Sequence, residues 1–195
     1  DFACETSRAR YEWSLYTPLY QAQNASCAIF VAEEYLGRAL DAEALDASLA
    51  ACPTPGRFDV LQNEPLILID ACHNPQSCEN FVSSLDEINP DAALRPLLLT
   101  AALADKDVSG IVDVLVPAFP RIVVTQTMSD RAISAQDLAQ LVLNKLEELG
   151  RPSSDLIEVV PSVSDAVERL AAAGEAFVAA GTITLAGEVA GIMRG

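Results

Sequence analysis

Leu66 to Ile69 is an uninterrupted apolar run that meets Asp70 and then breaks into Ala71-Cys72-His73-Asn74-Pro75. A strand with one wet face alternates apolar and polar residues. A run apolar on both faces belongs to a strand covered on both sides, as in a parallel sheet flanked by helices. Asn74 followed by Pro75 has the form of a helix N-cap and its first residue. The stretch therefore predicts a strand–helix junction with Asp70, Cys72 and His73 at the strand's carboxyl end. Open α/β sheets bind ligands at that edge. His73 is the chain's one histidine.

The sequence downstream repeats this alternation. Strands are expected over 66–70, 97–103, 121–125, 156–160 and 176–180, and helices over 75–88, 107–118, 135–149, 163–173 and 183–193. Gly150 and Gly174 close two of those helices. In the first of them Cys78, Phe81, Val82, Leu85 and Ile88 fall inward, and in the second Val108, Ile111, Val112 and Leu115 do. Such an order predicts an α/β domain with a mainly parallel, Rossmann-like sheet and helices on both faces. Upstream the pattern differs. Residues 1–19, with Tyr11, Trp13 and Tyr16, read as one or two strands whose partners lie further upstream. Gln21 to Leu36 reads as a helix with Ala28, Val31, Ala32 and Tyr35 on its inner face, stopped by Gly37. Asp41 caps a second helix carrying Leu45 and Leu49. Cys52 to Gly56, with two prolines and a glycine, marks a boundary. The expected domains are 1–52 and 53–195.

Composition narrows the partners. Twelve Lys and Arg stand against 28 Asp and Glu, a net charge of −16, and the basic residues do not cluster. A nucleic acid or an anionic membrane surface is a poor match. No apolar stretch reaches the ~20 residues of a membrane helix. The five cysteines are odd in number and form no C-x-x-C pair, which suits a reduced, cytoplasmic compartment. The start, Asp1-Phe2-Ala3-Cys4, lacks a methionine and suggests an excised fragment.

Several residues at the expected sheet edge can carry chemistry. Arg57, after the Pro55-Gly56 turn, is either a solvated surface arginine or a planar cationic fork suited to phosphate. Asp70 either accepts ribose hydroxyls or serves as a cap or a partner for Arg57. His73 either packs locally or donates to a phosphate oxygen beside a helix N-terminus. Lys106 and Arg131 follow the next two strands, and Gly181 and Thr182 the last one. Asp107 reads as an N-cap. Cys72 is set aside as a nucleophile, because neighbouring residues at an extended strand end face opposite ways. One histidine cannot build a metal site. The sequence holds no G-x-x-x-x-G-K-[ST] and no G-x-G-x-x-G, so a stand-alone ATP-hydrolysing site is hard to build from it.

These residues resemble a family, the folylpolyglutamate and dihydrofolate synthases within the Mur-type ATP-dependent amide ligases. Pro55-Gly56-Arg57-Phe58 is similar to its P-G-R-F/L-E turn and Asp70 to Pro75 to its D-G-A-H-N-P signature. Ala104-Asp105-Lys106-Asp107 resembles its A-D-K-D, and Gln21-Ala22-Gln23-Asn24-Ala25 its H-Q-x-x-N-A helix start. Arg131-Ala132 also fits, and Gly181 to Glu188 resembles a G-S-x-x-L-x-G-E ending. Pro18, Tyr20 and Cys72 depart from the glycine, histidine and alanine usual there.

The resemblance covers the family's C-terminal half. It implies a Mur-ligase C-terminal domain preceded, over 1–52, by the helical tail of a truncated central ATPase domain. It implies ATP as cofactor, with Asn24 on adenine, Asp70 on ribose, Arg57 on the phosphates from across an interdomain cleft, and His73 beside them. Arg57 and His73 are the residues expected to act in the reaction. Lys106 and Arg131 are the candidates for holding L-glutamate. Magnesium is expected on ligands outside this chain, with the phosphate loop, so the fragment alone is expected to be inactive. The implied reaction joins glutamate to a folate or pteroate carboxylate through an acyl phosphate, in a cytoplasmic monomer. A Mur-type cell-wall peptide ligase and a non-catalytic nucleotide-binding α/β module remain the alternatives.

Overall fold

The structure, a computed structural model, describes residues 1–14, 18–52, 54–151 and 154–195; Tyr16 and Pro53 lie outside them. The chain forms two compact units, Asp1–Thr54 and Pro55–Gly195. Among the described residues no helix is long and apolar enough to cross a membrane.

In the first unit β1 (Phe2–Glu5) and β2 (Arg10–Trp13) pair antiparallel with each other. They are followed by α1 (Leu19–Leu36) and α2 (Ala42–Ala51), the latter capped by Asp41 as expected. The expected inner face of α1 is corrected. Val31 is 69 % and Tyr35 89 % exposed, whereas Ala22, Ala25, Ile29 and Glu33 are buried. The hairpin decides this, since Cys4, Tyr11 and Trp13 pack on Ala25 and Ile29. The Tyr11 hydroxyl donates to Glu33 Oε1 at 2.5 Å and accepts from the Leu40 N–H at 2.8 Å. A glutamate thus sits on the buried stripe, with its charge answered by a hydrogen bond.

The second unit is built on a six-stranded sheet of order β3-β4-β8-β5-β6-β7. Its strands are β3 (Asp59–Asn63), β4 (Leu66–Ile69), β5 (Leu97–Thr100), β6 (Ile122–Gln126), β7 (Ile157–Ser162) and β8 (Phe177–Ala180). All neighbours run parallel except β3, which is antiparallel to β4. The helices are α3 (Pro75–Ile88), α4 (Val108–Leu115), α5 (Ala135–Glu148), α6 (Val163–Ala172) and α7 (Ile183–Arg194). The period of two along each strand divides the core. Leu68, Leu98, Val124 and Val178 pack on one face with Phe81, Ile111, Leu115, Leu138 and Val142 of α3, α4 and α5. Ile67, Ile69, Leu99, Val123 and Phe177 pack on the other with Val167, Leu170, Leu185 and Val189 of α6 and α7. Both faces are covered, which is why the strands read as unbroken apolar runs.

Two details differ from the sequence expectation. The edge strand β3 was not expected. A register shift between Val60 and Gln62 breaks its alternation, and Val60 is 44 % exposed. Ile88, the last residue of α3, is 69 % exposed. Ser84 takes a buried place on that helix, its hydroxyl returned to the Asn80 carbonyl at 3.0 Å.

Candidate functional site

The carboxyl ends of β4, β8, β5 and β6 lie side by side; Asp70, His73, Lys106, Arg131, Gly181 and Thr182 lie at these ends or on the loops that leave them, and Arg57 lies on the turn entering β3, beside the β4 exit. Two close backbone approaches set this edge. Gly181 has φ +121, and a Cβ there would stand 2.6 Å from the Ala101 carbonyl oxygen and 2.7 Å from Thr100 Oγ1. Only a residue without a side chain lets the β8 exit press against the β5 exit. Gly110, on the first turn of α4, faces the ring of Pro75, and a Cβ there would meet Pro75 Cγ at 2.5 Å. The start of α4 is thereby drawn against the start of α3.

The turn before β3 carries Arg57. Gly56 has φ +71 and Phe58 φ +51, so Arg57 stands between two left-handed residues. That conformation costs a non-glycine residue about 1–2 kcal/mol, and the surroundings hold it in several places. The Gly56 N–H donates to Asp59 Oδ2 at 3.0 Å, and that oxygen also accepts from Arg194 at 3.0 Å. The Ala71 N–H donates to the Gly56 carbonyl at 2.8 Å. The Phe58 N–H donates to Asp70 Oδ2 at 2.9 Å, and the Phe58 ring rests on Phe81 with centroids 5.7 Å apart. Arg57 itself is half-buried, and among the described residues none hydrogen-bonds or ion-pairs with its guanidinium. The main chain is fixed and the cationic fork is left open.

Asp70 ends β4 and is 2 % exposed. Besides the Phe58 N–H, it accepts the Cys72 N–H on Oδ1 at 2.9 Å. The cap of α3 is Asn74, whose side chain accepts from the Ser77 N–H at 2.9 Å. Ser77 Oγ in turn accepts from the His73 and Asn74 N–H groups. His73 Nδ1 lies 3.0 Å from the Ala71 carbonyl oxygen, which can only accept. The proton is therefore on Nδ1, and in the neutral ring Nε2 is the acceptor. A hydrogen bond with Cys78, reinforced by burial, pushes the Cys72 thiol well above its ordinary range. A thiol so held is a poor nucleophile at neutral pH.

The β5 exit carries Lys106, which is exposed and whose ammonium has no hydrogen-bond or ion-pair partner among the described residues. Asp107 caps α4 by accepting from the Gly110 N–H at 2.9 Å. Arg131 is paired with Asp105 at 3.0 Å, and its own loop is tied to the β5 exit through its carbonyl, which accepts from the Ala104 N–H at 2.8 Å. Thr182 is buried and caps α7. Asn24 lies exposed on α1 in the first unit, its amide donating to Gln21 Oε1 at 2.8 Å. Sequence reasoning missed the left-handed Phe58 and the Asp59–Arg194 pair, because neither leaves a local pattern. A groove of about 750 Å³ bordered by Gln126, Met128, Ser162 and Glu188 opens at the β6–β7 side, and neither Arg57, His73 nor Lys106 lines it.

The arrangement is a shelf bearing an imidazole and two cations that are unpaired among the described residues, suited to an anionic ligand. Comparison with known proteins gives the same shelf a family. The family model "Mur ligase, glutamate ligase domain" matches residues 56–183. The dihydrofolate synthase/folylpolyglutamate synthase of Mycobacterium tuberculosis is 34 % identical over 87 % of this chain and 37 % of its own length. A probable bifunctional folylpolyglutamate synthase/dihydropteroate synthase of Halobacterium salinarum is 29 % identical over 88 % of this chain and 20 % of its own. The solved Mycobacterium tuberculosis folylpolyglutamate synthase complexed with ADP and AMPPCP superposes with a TM-score of 0.83 at 27 % identity, covering 95 % of this chain and 43 % of that one. The chain thus spans well under half the length of the relatives it matches. It belongs to the Mur ligase family through its glutamate ligase domain, and its relatives are folylpolyglutamate and dihydrofolate synthases.

Proposed function

We propose that this chain is the C-terminal half of an ATP-dependent ligase that adds L-glutamate to the carboxylate of a (tetrahydro)folate or a dihydropteroate. The carrying observation is the half-buried Arg57, unpaired among the described residues, on a main chain held by hydrogen bonds from both sides. A guanidinium left without a carboxylate in a protein of net charge −16 is a place for an external anion. The nucleotides bound by the similar Mycobacterium tuberculosis enzyme support ATP as that anion.

In the proposed reaction a pterin-linked carboxylate oxygen attacks the γ-phosphorus of ATP and ADP leaves. The glutamate amine then attacks the acyl carbon, loses a proton, and phosphate departs with the amide formed. Charge in the first step spreads over phosphoryl oxygens, so a fixed cation stabilises it more than the ground state. Arg57 is that cation. His73 takes a place beside the phosphates, with Nδ1 held by the Ala71 carbonyl and Nε2 available. Asn24 is the adenine contact. Lys106, unpaired, is the stronger candidate for a glutamate carboxylate, and Arg131 the weaker, being paired with Asp105. Residues 1–52 are the tail of a central ATPase domain that supplies the phosphate loop. Among the described residues no group of three or more His, Cys, Asp or Glu gathers to hold a metal ion. These residues do not fit magnesium, whose ligands lie outside this chain with the phosphate loop. The enzyme is cytoplasmic and monomeric, and this half alone does not turn over.

The test is ADP release by the full-length enzyme given ATP, magnesium, glutamate and either dihydropteroate or tetrahydrofolate. Release that requires both glutamate and a pterin is expected. A folded, ATP-binding enzyme that releases ADP only with a cell-wall peptide precursor, or not at all, contradicts the reading.

A further inference from the structure

We propose that Asp59 is a positioning residue for the phosphoryl transfer, setting the aim of Arg57 by holding the peptide that precedes it. The inference rests on the ligase reading. Asp59 opens β3 two residues after Arg57, and its side chain is 18 % exposed. Its Oδ2 accepts the Gly56 N–H at 3.0 Å, so the carboxylate reaches back across Arg57 to the residue before it. The same oxygen accepts from Arg194 Nη2 at 3.0 Å, on the last turn of α7. That helix is seated by Leu185 and Val189, both fully buried, in the core that Leu61 of β3 joins. One carboxylate therefore ties the turn that carries the arginine to a packed helix.

The turn needs that tie at Gly56. Its other two ties, the Ala71 N–H to the Gly56 carbonyl and the Phe58 N–H to Asp70, both run to the β4 exit. The Gly56 N–H is left to Asp59. Gly56 sits at φ +71 and has no side chain, so its backbone has a wide range to move into once that N–H is released. Such a movement re-aims the residue that follows. Arg57 has no side-chain partner among the described residues, so its position is set by its main chain and packing. A displacement of the guanidinium by about an ångström costs a phosphoryl transfer roughly tenfold or more. Asp59 is also the carboxylate nearest Arg57 in the sequence, yet its Oδ2 is engaged by Gly56 and Arg194. It holds the arginine's turn without neutralising the arginine.

Positioning and mere support of the fold separate in the full-length enzyme. Wild type, Asp59→Ala, Asp59→Asn, Arg57→Ala and the Asp59→Ala/Arg57→Ala double variant are assayed for pterin-dependent ADP release and melted in parallel. Asp59→Ala is expected to lower kcat about tenfold with KM for ATP within about twofold. Asp59→Asn keeps an oxygen for the Gly56 N–H and stays within about threefold of the wild type. When Arg57 is already alanine the Asp59→Ala factor shrinks below about twofold, because no guanidinium is left to aim. Asp59→Val, close in size and suited to a strand, gives the same signature and serves where Asp59→Ala does not fold. Arg194→Ala, which loses only an exposed pair, costs less than about threefold. A tenfold loss that persists in the Arg57→Ala background overturns the positioning role. So do equal losses in Asp59→Asn and Asp59→Ala, or an Asp59→Ala enzyme with wild-type kcat. Absence of pterin-dependent release from the wild type overturns the ligase reading itself, and this inference with it.

Discussion

Arg57 and Arg131 are both arginines on loops at the carboxyl edge of one sheet, and they are held in opposite ways. Around Arg57 the main chain is tied by the Gly56, Phe58 and Ala71 amides, while the side chain has no partner among the described residues. Arg131 has its guanidinium on Asp105, with 62 % of its side chain exposed. An exposed pair of that kind contributes about 0–1 kcal/mol and holds little in place. The contrast separates a cation kept ready for a ligand from one already neutralised by its neighbour. It teaches that the backbone around a charge says more about function than the charge does.

The sharpest way to break the comparison is to remove each arginine. In the full-length enzyme Arg57→Ala is expected to lower kcat by about 10²–10³-fold, the scale of losing one fixed transition-state donor. The melting temperature should move by less than about 2 °C, because no fold contact of the guanidinium is lost. Equal losses of stability and turnover contradict a phosphate role. Gly181→Ala tests the shelf beneath. Its Cβ would meet the Ala101 carbonyl at 2.6 Å with φ at +121, so a destabilisation of about 2–4 kcal/mol is expected by denaturant unfolding. A change under about 0.5 kcal/mol would show that the β5 and β8 exits have room to part.

Smaller effects sharpen the contrast. Lys106→Ala is expected to raise KM for glutamate about tenfold and Arg131→Ala less than about threefold, since a free ammonium loses a ligand and a paired guanidinium loses Asp105. The reverse order would move the glutamate site to the β6 loop. Cys72 gives the smallest effect. Its thiol is raised in the folded state, so its stabilising contribution is complete below the unfolded thiol's value of about 8.5 and is lost as pH climbs through the higher folded value. Unfolding measured across alkaline pH should fall less steeply from about pH 8.5 upward in Cys72→Ala than in the wild type.

Legibility in the sequence followed the period of the apolar residues. The strands of the parallel sheet were legible because two-sided burial writes an unbroken apolar run, as in Leu66 to Ile69 and Phe177 to Ala180. The helices from α3 onward were legible because their sheet-facing stripes are apolar and two of their caps, Asn74 and Asp107, stand out in the sequence; Ser134, Ser162 and Thr182 cap the others. The buried face of α1 was not, because Glu33 stands in it and is satisfied by Tyr11, 22 residues away. Strand β3 was hidden by its bulge. The candidate site was legible as a set of residue types at one edge. Which cation is free was not, since that depends on Asp105 reaching Arg131 and on no described residue pairing with Arg57.

The most direct test of that freedom is chemical rescue. Pterin- and glutamate-dependent ADP release is measured for the full-length Arg57→Ala enzyme with added guanidinium ion at concentrations well below the denaturing range. If Arg57 is an open cation on the phosphates, guanidinium restores a saturable part of kcat to the variant and leaves the wild type unchanged, while methylammonium restores less. Loss of activity that no added cation recovers would contradict the account and return Arg57 to the turn as a structural residue.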